Sequence, residues 1–239
     1  VEKMIKPSEE EEEEQQYKLE YFSTGVQPVP EIAIIEAKKE VIKMSQLMNK
    51  MLCLFKEAFE NKKNIDEFIP KAKKIEIRSD QMQEQISTYL SECTKHELSF
   101  ESSKEASAMI RLTNELESVG DSTLNLFLQL EKLGNDMQFT DDMNQEIIKI
   151  YNEVMEFVKW NNSFISDNIK PMSEEELDKS INYEKNIDNS RNELLESSRK
   201  RLISGSIPKA ELLFMDIIKH LEHIGDYSLN ISQALEQID

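Results

Sequence analysis

Glycine and proline are scarce, five and six in 239 residues, where glycine alone ordinarily makes up about 7% of a chain. That leaves little to build tight turns from, and it argues against a β-sandwich, a barrel or a glycine-rich phosphate loop. Cysteine is nearly absent. Cys53 and Cys93 lie far apart, with no C-x-x-C and no Cys/His cluster at zinc-ligand spacing, and they read as buried thiols of a reducing compartment. No run of 18 apolar residues occurs, so no transmembrane helix is expected, and no signal peptide opens the chain. Because the chain starts at Val1, it reads as a fragment cut from something longer. Basic residues are also in deficit, 29 against 47 acidic, for a formal charge of −18. Nucleic acid and anionic membrane surfaces each need a basic face to release counterions, so neither is an expected partner. Catalytic patterns are missing too: there is no Glu-x-x-His pair of the di-iron kind, no Ser/His/Asp or Cys/His signature and no phosphate-cradling loop. No enzyme and no catalytic residue are expected.

What is present is 38% hydrophobic and 32% charged residues, interleaved in the manner of long helices. The acidic block of residues 8–16 repels itself and cannot bury apolar area, so residues 1–30 are read as a tether or linker. From Pro30, apolar residues Ile34, Val41, Met44, Met48, Met51 and Phe55 recur at helical spacing over about 31–60. A second helix is expected over about 66–93, and a third from Ser99 to a left-handed C′ residue at Gly134. The pattern then restarts. Thr140 begins a fourth helix, Ser173 with Glu176 forms a capping box for a fifth over about 174–202, and Ser206 with Pro208 begins a sixth.

Three helices thus appear twice. Shifting the chain by 105 residues lays 114–133 on 219–238 with eight identities in twenty, among them Leu, Glu, Gly, Asp and Asn in one run. EVIKM at 40–44 likewise matches EIIKI at 146–150. This predicts an internal duplication, with residues 31–134 as one three-helix bundle and 135–239 as a second: an all-α fold of two pseudo-symmetric bundles.

The repeat carries carboxylates with it. Glu76 and Asp80 correspond to Glu184 and Asp188, and Glu117 and Asp121 to Glu222 and Asp226, every pair being Glu-x-x-x-Asp. Residues i and i+4 on a helix sit about 5–6 Å apart between Cβ atoms, so each pair offers two carboxylates to one point. Like charges there repel unless a cation neutralises them, and hard cations favour oxygen donors. These eight residues are the candidate metal ligands; a solvated or salt-bridged acidic seam is the competing reading. The fifth such pair, Glu174 with Asp178, sits in a first helical turn and reads as a response to the helix dipole.

Gly120 and Gly225 precede the two aspartates mid-helix, at a cost of about 1 kcal/mol each relative to alanine. Close helix approach and access for an ion are equal explanations. Asn125 and Asn230, four residues past each aspartate, either bond a neighbouring helix or support the carboxylate. His220 and His223 read as surface residues, since the first repeat has Glu115 and Ser118 in their places. The eleven methionines fall mainly on apolar stripes and read there as gap-filling core, as does the Phe157, Trp160, Phe164 group.

Glu-x-(Val/Ile)-Gly-Asp-x-x-x-Asn on the last helix of two three-helix repeats resembles the PhoU family of phosphate-uptake regulators. The resemblance covers about residues 31–238. It implies two three-helix bundles that bind iron, zinc or similar ions, divalent or ferric, through the same eight residues. Where the familiar motif continues Gly-Asp-His-Ala, this chain has Gly-Asp-Ser-Thr and Gly-Asp-Tyr-Ser. The opening segment, VEKMIKP, an acidic run, LEYFSTG and PVPEIAIIEAKKEVIKM, looks like the connection after the last membrane helix of bacterial sodium/phosphate cotransporters with a PhoU-like tail. The resemblance therefore implies a cytoplasmic domain tethered to the inner membrane, with the transporter's membrane domain, on the same polypeptide, as partner. A monomer or homodimer is expected. The alternative function is an acidic helical protein-interaction module without metal.

Overall fold

The computed structural model describes residues 30–61, 64–94, 98–134 and 137–238. The tether expected over 1–30 lies, except for Pro30, outside the described residues. Six helices follow one another: α1 (Pro30–Glu60), α2 (Ile65–Cys93), α3 (Phe100–Leu133), α4 (Asp141–Ile165), α5 (Glu174–Ile203) and α6 (Pro208–Glu236). Their starts obey the capping chemistry. The Ser99 hydroxyl accepts from the Ser102 N–H at 3.1 Å, Thr140 caps Met143 at 3.3 Å, and Ser173 with Glu176 closes a reciprocal capping box. Gly134 ends α3 at φ 70°, a conformation that costs other residues energy.

The sixth helix departs from expectation. Its N-cap is Ile207 with no side-chain cap, because the Ser206 hydroxyl donates instead to the buried Glu211 carboxylate at 2.7 Å. A second departure concerns Cys53, which is exposed while Cys93 is buried. The α1 stripe turns Met51, Leu52 and Phe55 inward, and residue 53, about 100° round the helix from Leu52, falls off it. His220, expected at the surface, is half-buried, and its Nδ1 is buried without a hydrogen-bond partner among the described residues.

Helices α1, α2 and α3 pack on one another, as do α4, α5 and α6. The broadest contact of all joins α3 to α6. These two run antiparallel: Arg111 donates to Gln233 at 2.7 Å and Asn230 to Glu115 at 2.9 Å, so rising numbers on one meet falling numbers on the other. The core crosses the seam without a break. Phe55 of α1 meets Phe127 edge-on at 5.7 Å and Tyr151 of α4 at 6.0 Å, and the Tyr151 hydroxyl donates to the Leu52 carbonyl at 3.1 Å. Such aromatic contacts add to the apolar area removed from water, which is the main stabilising term. In the second bundle the Trp160 N–H donates to Ser180 at 3.0 Å and Asn161 donates to the Ser228 carbonyl at 2.7 Å, so these buried polar groups are paired. Phe157 and Phe164 are buried and Trp160 half-buried, as the sequence pattern implies.

Candidate metal centre

On α2, Glu76 and Asp80 stand one turn apart, and on α3 Glu117 and Asp121 do the same. What brings the two helices close enough is the pair of small residues beside the aspartates. Ser79 is fully buried, and a Cβ on Gly120 would stand 3.5 Å from its hydroxyl and 3.0 Å from the Met48 sulfur. Close approach is therefore the reason for the mid-helix glycine, and it is also what makes the carboxylates converge. Oxygens of Glu76, Asp80 and Asp121 come within 4.8 Å of one another; among the described residues, this is the one set of three acidic, His or Cys side chains that does so.

The electrostatics agree with the geometry. Loss of water at the seam, then the charges of Asp80, Asp121 and Glu117, hold the Glu76 carboxyl above its ordinary range. Asp80 is raised by the same loss of water and by Asp121, and Asp121 by burial. Glu117 is raised by burial and by Asp121, against a 3.3 Å hydrogen bond from Ser118 that acts to lower it. No Lys or Arg among the described residues lies within ion-pair distance of these four. Three of the four sequence candidates of the first bundle thus share one site, and Glu117 lies beside it, near enough for its charge to act on Glu76; Glu76 and Glu117 are half-buried and Asp80 and Asp121 stand at the solvent. An all-carboxylate, water-accessible donor set suits a hard or borderline cation, so these residues fit the implied metal.

In the second bundle no three of the four candidates bring oxygens within 4.8 Å of one another, although Asp188, Asp226 and Glu222 are near enough to act, after burial, to raise Glu184. Its seam is built differently. Ile187 stands where Ser79 stands, and a Cβ on Gly225 would meet its Cδ1 at 3.1 Å and its Cγ2 at 3.3 Å. More consequentially, the seam already contains a cation. Arg191 Nη2 donates to Glu222 Oε1 at 2.6 Å and lies 3.4 Å from Asp188 Oδ1. Its own pKa is raised, chiefly by the bond to Glu222 and further by the charges of Glu222, Asp188 and Asp226. Asp226 is raised by burial, Glu222 and Asp188, while His223 and Arg191 pull it down. His223 Nε2 also stands 3.7 Å from Glu222 Oε2. A guanidinium on the oxygens a metal would use makes this quartet a poor fit for an ion.

Sequence reasoning passed over Arg191. The signal existed: it lies three residues past Asp188 and seven past Glu184, hence on their helical face, and the repeat offset pairs it with Gln83. Gln83 Nε2 instead donates to Asn114 at 2.8 Å. The asparagines do not support the carboxylates: Asn125 bonds the Asp121 backbone carbonyl at 3.0 Å, and Asn230 reaches across to Glu115.

A family model described as the PhoU domain matches the chain twice, over residues 41–127 and 140–235. No curated protein sequence matches. Among solved structures, the crystal structure of the phosphate transport system regulatory protein PhoU from Streptococcus pneumoniae superposes with a TM-score of 0.73 at 14% identity, covering 87% of this chain and 95% of that one. The two share the all-α fold.

Proposed function

The chain belongs to the PhoU domain family, and on that premise we propose that it is a regulatory domain of phosphate transport whose first bundle binds a metal ion through Glu76, Asp80, Glu117 and Asp121. The observation that carries the metal reading is the convergence of the Glu76, Asp80 and Asp121 carboxylates of α2 and α3, with Glu117 beside them and no Lys or Arg among the described residues paired to them. An ion there would join the two helices and offset the mutual repulsion that, together with burial, raises Glu76, Asp80 and Glu117. Iron and zinc are the first ions to try, with manganese and magnesium beside them.

The test is thermal unfolding of chelator-stripped protein with each ion added. Binding at about 100 times Kd contributes about 2.7 kcal/mol, which for a chain of this size corresponds to roughly 5–10 °C in Tm. Asp80→Asn with Asp121→Asn should abolish that shift. Absence of any shift with all four ions overturns the metal reading and leaves the acidic interaction module in its place.

The finer proposal is that this is the cytoplasmic tail of a sodium/phosphate cotransporter, with the membrane domain as its partner. The opening segment, with its acidic run ahead of PVPEIAIIEAKKEVIKM, supports it. No described helix is long and apolar enough to cross a membrane, so a membrane part would have to lie outside the described residues. Coding sequence upstream of Val1 that specifies several apolar spans is the expected result; a short soluble leader there overturns the tail reading.

A further inference from the structure

The geometry points to Arg191 as a resident cation that takes the place of metal in the second bundle, so that the chain carries one metal-binding bundle and one bundle neutralised by its own side chain. This inference rests on the metal reading of the first bundle and concerns how the duplicated motif divided its tasks.

Three equivalent positions around the two carboxylate quartets differ in one direction. Gln83 of the first bundle becomes Arg191, Ser118 becomes His223, and Glu115 becomes His220. Each change replaces a neutral or acidic group with one able to carry positive charge. Two of the three touch the second quartet directly: Arg191 reaches Glu222 at 2.6 Å and Asp188 at 3.4 Å, and His223 stands 3.7 Å from the other Glu222 oxygen. In the first bundle the same two positions leave the quartet's charge untouched. Gln83 turns to Asn114, and the Ser118 hydroxyl gives Glu117 a 3.3 Å hydrogen bond.

A metal bound by carboxylates sits about 2.0–2.6 Å from each oxygen. Glu222 Oε1 and Asp188 Oδ1 are already taken up by a planar guanidinium, a group that stays protonated at any physiological pH. An incoming ion would have to displace that hydrogen-bonded partner and then share the seam with a positive charge. Glu222 is only 8% exposed, so Arg191 also supplies the charge that a buried carboxylate needs to remain buried at low cost. The arginine therefore does structurally what the ion does in the first bundle: it ties the fifth helix to the sixth across an acidic seam.

The experiment exchanges the two residues. Wild-type protein and the variants Arg191→Gln, Gln83→Arg and the double exchange are dialysed against excess Zn2+, then against metal-free buffer, and metal per chain is measured by mass spectrometry. Arg191→Gln should double the metal content of wild type. Gln83→Arg should reduce it to background, and the double exchange should return it to the wild-type level with the ion moved to the second bundle. Melting in chelator supplies a second readout: Arg191→Gln should lower Tm, and Zn2+ should restore it. Should Arg191→Gln fail to fold, Gln83→Arg decides alone, since retention of full metal content there means a guanidinium does not exclude the ion. A metal-bearing wild type whose content is unmoved by either substitution overturns the Arg191 assignment and leaves the metal reading standing. If neither wild type nor Arg191→Gln retains Zn2+, the same dialysis is run with iron, manganese and magnesium, and absence of binding with all four overturns both readings.

Discussion

One duplicated acidic seam is offset by a side chain in one copy and not in the other. In the first bundle, Glu76, Asp80, Glu117 and Asp121 face one another across Ser79 and Gly120 with no Lys or Arg pairing among the described residues. In the second, the same quartet is threaded by Arg191. A concentrated acidic patch must be offset somewhere, and a repeat that preserves the acids does not preserve the means of offsetting them. The ends of the bundles differ in the same spirit. Glu211 is fully buried in the second bundle, where it accepts from Arg201 at 2.8 Å, from Ser198 at 2.6 Å and from Ser206 at 2.7 Å, while Arg201 also reaches Glu146 and lies over the Phe214 ring. At the equivalent places the first bundle has buried Cys93 and Ala106. One copy uses ion pairing where the other uses apolar packing.

The largest effect should come from breaking that buried pair. Arg201→Ala leaves Glu211 charged without its partner, at a cost of about 3 kcal/mol. Converting the pair to the first bundle's residues, Arg201→Cys with Glu211→Ala, should recover most of that loss, because removing both charges removes the desolvation cost as well. Urea unfolding of the two variants measures it. If the double variant is no more stable than Arg201→Ala, the two bundle ends are not interchangeable solutions of one packing problem.

How much of this could be read from the chain varies with the kind of signal. Helix bounds were legible because local chemistry sets them: Ser99, Thr140 and Ser173 cap where their side chains predict, and Gly134 takes its positive φ. Ser206 misled, since a tertiary demand, the buried Glu211 carboxylate, outbid the local cap. The convergence of Glu76, Asp80 and Asp121 was legible from the i, i+4 spacing combined with the repeat, whereas the looser second quartet was not distinguishable from it. Arg191 was not legible because an arginine is no metal ligand, and only the packing of α5 on α6 places its guanidinium on Glu222. Nor could spacing settle the glycines, because only the packed helices place Met48, Ser79 and Ile187 against them.

Those glycines give the second comparison. Replacing a mid-helix glycine by alanine gains about 1 kcal/mol of helix propensity if the space exists. At Gly120 the nearest atom is the far end of Met48, 3.0 Å from the new Cβ, and a thioether can swing aside. At Gly225 the neighbour is the branched Ile187, with two atoms at 3.1 and 3.3 Å and no freedom near its own Cβ. Gly225→Ala should therefore destabilise by about 1–2 kcal/mol, and Gly120→Ala should stay within about 1 kcal/mol of wild type. Equal losses at the two sites would mean that both seams are equally rigid and that the Ser79/Ile187 difference has no mechanical consequence.

The smallest effect, and the most direct on the seam itself, is its pH dependence in metal-free protein. Glu76, Asp80, Glu117 and Asp121 all have raised pKa values in the fold. A raised carboxyl binds its proton more tightly when folded, so its contribution to stability is complete below the unfolded value of about 4 and is lost as pH rises through the folded value. Glu211 and Glu176, whose pKa values are lowered, run the other way and lose their contribution as pH falls. The two trends overlap in wild type, so the informative quantity is a difference. In chelator, Asp80→Asn with Asp121→Asn should match wild type near pH 4 and become more stable than it toward pH 7, by about 1 kcal/mol at low salt. High salt should shrink the gap. Asp188→Asn with Asp226→Asn should have the opposite sign at pH 7, because it strips Arg191 of one direct partner and of the nearby Asp226 charge. Like signs for the two pairs of substitutions would show that Arg191 does not offset its seam, and the contrast between the bundles would then reduce to geometry.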